Sequence, residues 1–78
     1  MKGKVNNMNK STTVKTRTQG YVWINTCYTL DHRWETIVFA SDENGNVSSR
    51  MNLDCNNYST ESRANEGHKE MVENWKNM

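Results

Sequence analysis

The chain has 78 residues, 33% of them hydrophobic and 24% charged, with no proline and a formal net charge of +1. That length allows one domain, and a chain this small buries only about 60% of the surface its unfolded form exposes, so a multi-domain enzyme with a deep enclosed cleft is excluded. No apolar run approaches the ~20 residues that span a bilayer, and the first residues are polar, without the pattern of a secretory signal.

The charge is unevenly placed. Residues 1–19 carry Lys2, Lys4, Lys10, Lys15 and Arg17 and no acid. Residues 20–78 carry five bases against nine acids, a net −4. The first nineteen residues are also rich in Asn, Ser and Thr and hold few apolar side chains. Such a segment has little apolar surface with which to offset its ordering entropy. It is expected to be a flexible basic arm, 1–19, ahead of a single folded domain, 20–78. Clustered lysine and arginine release counterions from nucleic acid, so the arm is also a candidate phosphate contact. The plainer reading is a solvated terminus lying loosely on the acidic body.

After Gly20, the run Tyr21 to Leu30 is dominated by aromatic and β-branched residues and predicts a strand. Trp34 to Ala40 predicts a second, joined to the first by the short link Asp31-His32-Arg33. Asn44-Gly45 supplies the positive φ that tight hairpin turns need. Val47 to Leu53 alternates weakly and predicts a half-exposed third strand, followed by a polar connection, Asp54 to Asn57. Ser59 or Thr60 is placed to cap a helix, with Glu61 in its first turn. From Thr60 to Trp75, Ala64, Gly67, His68, Met71, Val72 and Trp75 recur at spacings of three and four and form one apolar stripe. Glycine within a helix costs about 0.5–1 kcal/mol relative to alanine, so Gly67 marks a place where the helix closely approaches the sheet.

The expected fold is therefore α+β: a three-stranded antiparallel sheet and one C-terminal helix packed on one face, behind the basic arm. In the first strand Tyr21, Trp23 and Cys27 oppose Val22, Ile24 and Tyr28; in the second, Trp34, Thr36 and Val38 oppose Glu35, Ile37 and Phe39. Both faces hold large apolar groups and one helix covers only one of them. The uncovered face, expected to carry Trp23, Trp34 and Val38, needs a partner. A homodimer is the simplest solution; the arm folding back over the face is the other.

Chemistry-bearing residues are few. Cys27 and Cys55 with His32 and His68 lack the spacing of a closed zinc site, and the cysteines are expected to be free thiols in a reducing compartment. His32, Glu35 and His68 form the sharper constellation for a metal site or acid–base chemistry, the basis of a small metal-dependent enzyme. Against that stands a core role for His68, with a hydrogen bond to Glu35 or a backbone carbonyl. No phosphate loop and no Ser-His-Asp ordering is present, and no cofactor is expected. Strand aromatics beside a basic arm suggest a nucleic-acid-binding accessory protein, but the net −4 body is the wrong sign for a phosphate groove.

Three pieces taken in order resemble a widespread group of small bacteriophage proteins: Asn25-Thr26-Cys27-Tyr28-Thr29-Leu30-Asp31-His32; Glu35-Thr36-Ile37-Val38-Phe39; and Tyr58-Ser59-Thr60 followed by Ala64, Gly67-His68 and Met71-Val72. The resemblance spans residues 21–75. The link from His32 to Glu35 is shorter than in many of that group. The resemblance implies a phage origin and action in the cytoplasm of an infected bacterium. By analogy with phage proteins of this size, it points to an anti-defence inhibitor of the anti-CRISPR kind. Such a binding protein, not an enzyme, would meet a host protein through an acidic and aromatic surface, for which Asp42, Glu43, Asp54, Glu66, Glu70, Glu73, Trp23 and Trp34 are the candidates.

Overall fold

The computed structural model describes residues 9–78. It is α+β, as expected, but the sheet has four strands rather than three: β1 (Asn9–Lys15), β2 (Tyr21–Thr29), β3 (Arg33–Ser41) and β4 (Val47–Tyr58), followed by α1 (Glu61–Lys76). Neighbours in sequence pair antiparallel in the order β1-β2-β3-β4, and α1 lies across one face. Lys2 and Lys4 fall outside the described residues.

The additional strand is built from residues assigned above to the arm. Lys10, Thr12 and Val14 of β1 pair with Thr26, Ile24 and Val22 of β2 and turn toward the helix. Val14 is its one large apolar contribution to the core. The other inward positions are met by polar partners on α1: Lys10 Nζ reaches Asn65 Oδ1 at 3.5 Å, and Thr12 Oγ1 lies 2.8 Å from His68 Nε2. Apolar content alone does not reveal such a strand, although Thr12, Thr13 and Val14 are favourable β residues.

β4 is also longer than expected. Asp54 to Asn57, read as a polar connection, continue the strand opposite Val38, Ile37, Thr36 and Glu35. An edge strand exposed along its length needs no apolar residues to hold its place, since its backbone bonds to β3 fix it. Between the pairs Phe39–Asn52 and Ser41–Val47, β4 advances five residues while β3 advances two. The surplus residues form a bulge, which blunts this edge.

The core is small. Val14, Val22, Ile24 and Val38 from the sheet meet Ala64, Met71 and Trp75 from the helix. Fully burying each of the larger side chains contributes about 1.5–3 kcal/mol. Thr60 caps α1, its hydroxyl accepting from the Arg63 amide at 3.1 Å. At the far end Thr18 closes the helix onto the β1–β2 connection, its amide and hydroxyl donating to the Met78 carbonyl at 3.1 and 2.7 Å. Gly45, with φ 83°, supplies the positive φ expected of the β3–β4 turn.

Gly67 is where helix and sheet approach most closely, as its sequence context predicts. A side chain at 67 would collide with the Tyr58 ring at the end of β4. Gly67→Ala is therefore expected to destabilise: overpacking costs typically about 1–3 kcal/mol, more than the ~1 kcal/mol gained in helix propensity. Urea unfolding midpoints check this. In a Tyr58→Ser background the same change should cost less, and an equal cost in both backgrounds would contradict the contact.

Candidate functional site

The chemistry-bearing side chain most firmly held by the fold is His68, 3% exposed between α1 and the sheet. The helical stripe turns it inward one residue after Gly67, whose missing side chain lets the helix come close. Its Nε2 lies 2.8 Å from Thr12 Oγ1 and its Nδ1 lies 2.7 Å from Thr26 Oγ1; Thr26 Oγ1 lies 2.5 Å from Thr36 Oγ1. One imidazole thus joins hydroxyls from three adjacent strands. A neutral imidazole has one donor and one acceptor nitrogen, and a hydroxyl can serve as either, so both ring nitrogens are satisfied. Burial pushes the His68 pKa down, and the nearby Lys10 ammonium pushes it the same way. Burial likewise raises the Tyr58 phenol.

The constellation His32, Glu35 and His68 does not come together. His32 sits in the exposed β2–β3 turn, its amide donating to Thr29 Oγ1 at 3.0 Å. Glu35 pairs with Cys27 and points to the helix-free face, whereas His68 lies under the opposite one. The hydrogen bond expected from Glu35 to His68 is replaced by the threonine hydroxyls. Among the described residues no group of three His, Cys, Asp or Glu side chains is placed to hold a metal ion. A shallow groove beside His68, between β1 and α1, is lined by Lys10, Thr12, Lys69, Val72 and Glu73.

The acidic and aromatic candidates divide among three places. Trp23 is on the helix-free face, its ring 6.2 Å from that of Phe39 at 30°. Trp34 is on the helix side, edge-on to Tyr28 at 5.1 Å and 62°, and Val38 is fully buried beneath α1. The expectation that Trp23, Trp34 and Val38 share the uncovered face is thus corrected. The reason is register: the β2–β3 hairpin pairs odd-numbered residues with odd and even with even. Trp23 therefore shares a face with Glu35, Ile37 and Phe39.

Asp42 and Glu43 lie in the β3–β4 turn. Asp42 Oδ1 accepts from the amides of Asn44 and Asn46 at 2.8 and 2.9 Å, and Oδ2 accepts from Asn46 Nδ2 at 3.1 Å. These bonds, the Asn46 amide first, hold its carboxyl below the ordinary range. The turn reaches over the helix-free face: a side chain at Gly45 would run into Thr13 Oγ1 and touch the Trp23 ring. Asp42, Glu43 and Trp23 therefore share one corner. Asp54 is not part of it, because it turns to the helix side and accepts from Trp75 Nε1 at 3.3 Å. Glu66, Glu70 and Glu73 are exposed on α1, where their spacing puts them on one stripe, and Glu73 meets Lys76 at 3.5 Å.

The arm's charges are relocated as well. Lys10, Lys15 and Arg17 belong to β1 and the turn after it, so the described body holds eight bases against nine acids rather than the −4 that residues 20–78 suggest. Cys27 and Cys55 are free, and no helix among the described residues is long and apolar enough to cross a membrane. Residue patterns singled out catalytic types and passed over Thr12, Thr26 and Thr36. Their signal was parity: each stands on the inward side of its strand, opposite a helix bearing one histidine.

No protein-family model, curated protein or solved structure matches this chain.

Because folding depresses the His68 pKa, the neutral ring is the form compatible with the fold. Its contribution is complete above the unfolded value of about 6.5 and is lost as pH falls from there through the folded value. Thermal unfolding followed from pH 8 to pH 5 is expected to show stability declining below about pH 6.5. In His68→Gln the protein should be less stable throughout and that part of the decline should vanish. An unchanged profile would assign the titration elsewhere.

Proposed function

We propose that this chain is a small phage binding protein, not an enzyme, that inhibits a bacterial defence or other host protein by covering a functional surface of it. The observation that carries this is the outer stripe of α1. Glu66, Glu70 and Glu73 project from the side of the helix facing away from the sheet, where no packing role requires them. Charge complementarity commits the partner to a basic protein surface, and opposite fields would speed the encounter. The engagement of His68 by threonines supports a structural rather than chemical use of that residue. The resemblance to small phage proteins supports an encounter inside the infected cell.

A second reading, nucleic-acid binding, is favoured by one feature. β1 sets Lys15 beside Tyr21, and Thr13 beside Trp23, so basic and aromatic side chains adjoin on the helix-free face. It requires affinity that falls steeply with salt and is lost in Lys15→Glu/Arg17→Glu.

The test is retention and inhibition with purified components. The wild-type chain is expected to retain a host protein whose activity falls as the chain is added toward one equivalent. Glu66→Lys/Glu70→Lys/Glu73→Lys, folded by circular dichroism, should lose both retention and inhibition. Full activity of the retained protein at saturation, or undiminished inhibition by the triple variant, would overturn the reading.

A further inference from the structure

We propose that the open edge of β1 and the groove beside it form a docking site for an extended, carboxylate-bearing segment of a partner protein, which adds to the sheet as a fifth strand antiparallel to β1. The proposal goes beyond the reading of α1 as a contact helix. It gives the chain a second binding surface, of opposite charge preference, that uses neither Glu66 nor Glu70.

The strand order leaves β1 and β4 as the two edges of the sheet, and they are unequal. β4 is bulged against β3 between the pairs Phe39–Asn52 and Ser41–Val47. β1 pairs with β2 without a shift through all seven of its residues and holds no proline. Its free side is therefore a straight row of backbone donors and acceptors. The Thr16 amide donates to the Gly20 carbonyl at 2.8 Å, and this pair continues the register of Lys15 with Tyr21. Hydrogen-bonded pairs alternate along an antiparallel ladder, so Val14, Thr12 and Lys10 commit their backbone groups to β2. Asn9, Ser11, Thr13 and Lys15 turn theirs to the open side, and all four are exposed. No strand among the described residues pairs with them.

The groove between β1 and α1 lies beside this edge. A strand added to β1 turns alternate side chains to the helix side, at the positions opposite Lys10, Thr12 and Val14. Those side chains enter the groove that Lys10, Thr12, Lys69, Val72 and Glu73 line. Val72, half-buried against the core, offers the apolar part of the lining. Lys10 reaches the Asn65 carboxamide rather than an acid, and Lys69 is exposed. Glu73 is matched by Lys76 at 3.5 Å, the one ion pair among the described residues. The uncompensated charge of the groove is thus positive. The position opposite Lys10 calls for a carboxylate, and the position opposite Thr12, toward Val72, for a small apolar side chain.

The same lysine decides which strand is admitted. A lysine turned inward on an edge strand deters an apolar neighbour, because its ammonium would be covered without a partner. A neighbour that brings a carboxylate supplies the partner. A second copy of β1 would bring two more lysines and no acid, so the edge selects against its own copy and in favour of an acidic segment. Backbone bonds from Ser11 and Thr13 would hold such a segment, and the groove would read its alternate side chains, the division of labour by which sheets capture extended peptides.

The experiment titrates the isotope-labelled full chain with the acetylated, amidated peptide Thr-Val-Thr-Val-Thr-Glu-Thr and follows backbone amides by NMR. Antiparallel to β1, this peptide sets its glutamate opposite Lys10 and a valine opposite Thr12. Saturable shifts are expected at Ser11, Thr13, Lys69 and Val72. Exchange of the Ser11 and Thr13 amides should slow about tenfold when roughly nine-tenths of the chain is bound, since only the free fraction exchanges. The same peptide with lysine in place of glutamate should bind more weakly, and Lys10→Glu/Lys69→Glu should reverse that preference. Ser11→Pro removes one outward donor from an edge position that tolerates proline; folded by circular dichroism, it should lose the peptide. No saturable shift at millimolar peptide, equal binding of the two peptides, or binding that survives in folded Ser11→Pro would overturn the proposal. So would protection of Ser11 and Thr13 that grows with the concentration of the chain alone, which would assign the edge to a second copy. Glu66→Lys/Glu70→Lys should leave peptide binding intact, so failure at this edge and failure of the α1 stripe to bind its target are read separately.

Discussion

Four strands are fastened to one helix at a junction two residues wide. Gly67 gives up its side chain so that the Tyr58 ring can lie against the helix, and His68, the next residue, binds hydroxyls from β1 and β2. The two features depend on each other. Without the close approach the imidazole would stand away from Thr12 and Thr26. Without those hydroxyls a buried imidazole would carry unsatisfied nitrogens, at about 1–3 kcal/mol each. The registry of the sheet against the helix is defined here, because displacing α1 would part both ring nitrogens from their hydroxyls.

This junction explains how a chain so poor in apolar residues folds. Thr26 and Thr36 are fully buried, in positions that valine would fill with nearly the same volume. Valine at Thr26 would add apolar contact but leave His68 Nδ1 without a partner, and valine at Thr36 would remove the second partner of the Thr26 hydroxyl. The hydroxyls thus trade some apolar burial for definition of a single packing, and the row stays favourable only because each member is satisfied. Thr12 extends the same logic to β1, a strand with one large apolar anchor, Val14, and a hydrogen bond to the helix.

Much of the fold was legible in the sequence, for identifiable reasons. β2 and β3 announce themselves by their aromatic and β-branched residues, and α1 by the three- and four-residue spacing of its stripe. The Asn44-Gly45 turn and the close approach at Gly67 follow from what glycine permits. β1 did not show, because two of its inward positions are lysine and threonine and their partners lie more than fifty residues away. The second half of β4 did not show, because an exposed edge is held by backbone bonds that any side chain allows. The site was less legible than the fold. Alternation within β2 and within β3 follows from the strand period, but which face of one matches which face of the other depends on the hairpin register. That register separated Trp23 from Trp34 and buried Val38. The candidate carboxylates are dispersed for a similar reason: Asp42 is committed to its turn, Asp54 to the Trp75 indole and Glu73 to Lys76.

A sheet covered by a single helix has two kinds of surface to protect, its edges and its second face, and this chain treats them differently. The edges carry a bulge and lysines, which oppose the addition of a further apolar strand. The second face is left to its own side chains and to the β3–β4 turn, which reaches over Thr13 and Trp23. Its middle strands set tryptophan, isoleucine and phenylalanine beside an asparagine whose buried carboxamide oxygen has no partner, and Glu35 stands on the same face. A face meant to remain in water gains nothing from an apolar centre, and a face meant only to pack on an apolar layer gains nothing from a central asparagine. Apolar area supplies attraction, while a polar group that must find its mate limits which partners satisfy it. A surface that combines the two discriminates among the groups that could lie against it, and the β3–β4 turn, which reaches over Thr13 and Trp23, already occupies one corner of it.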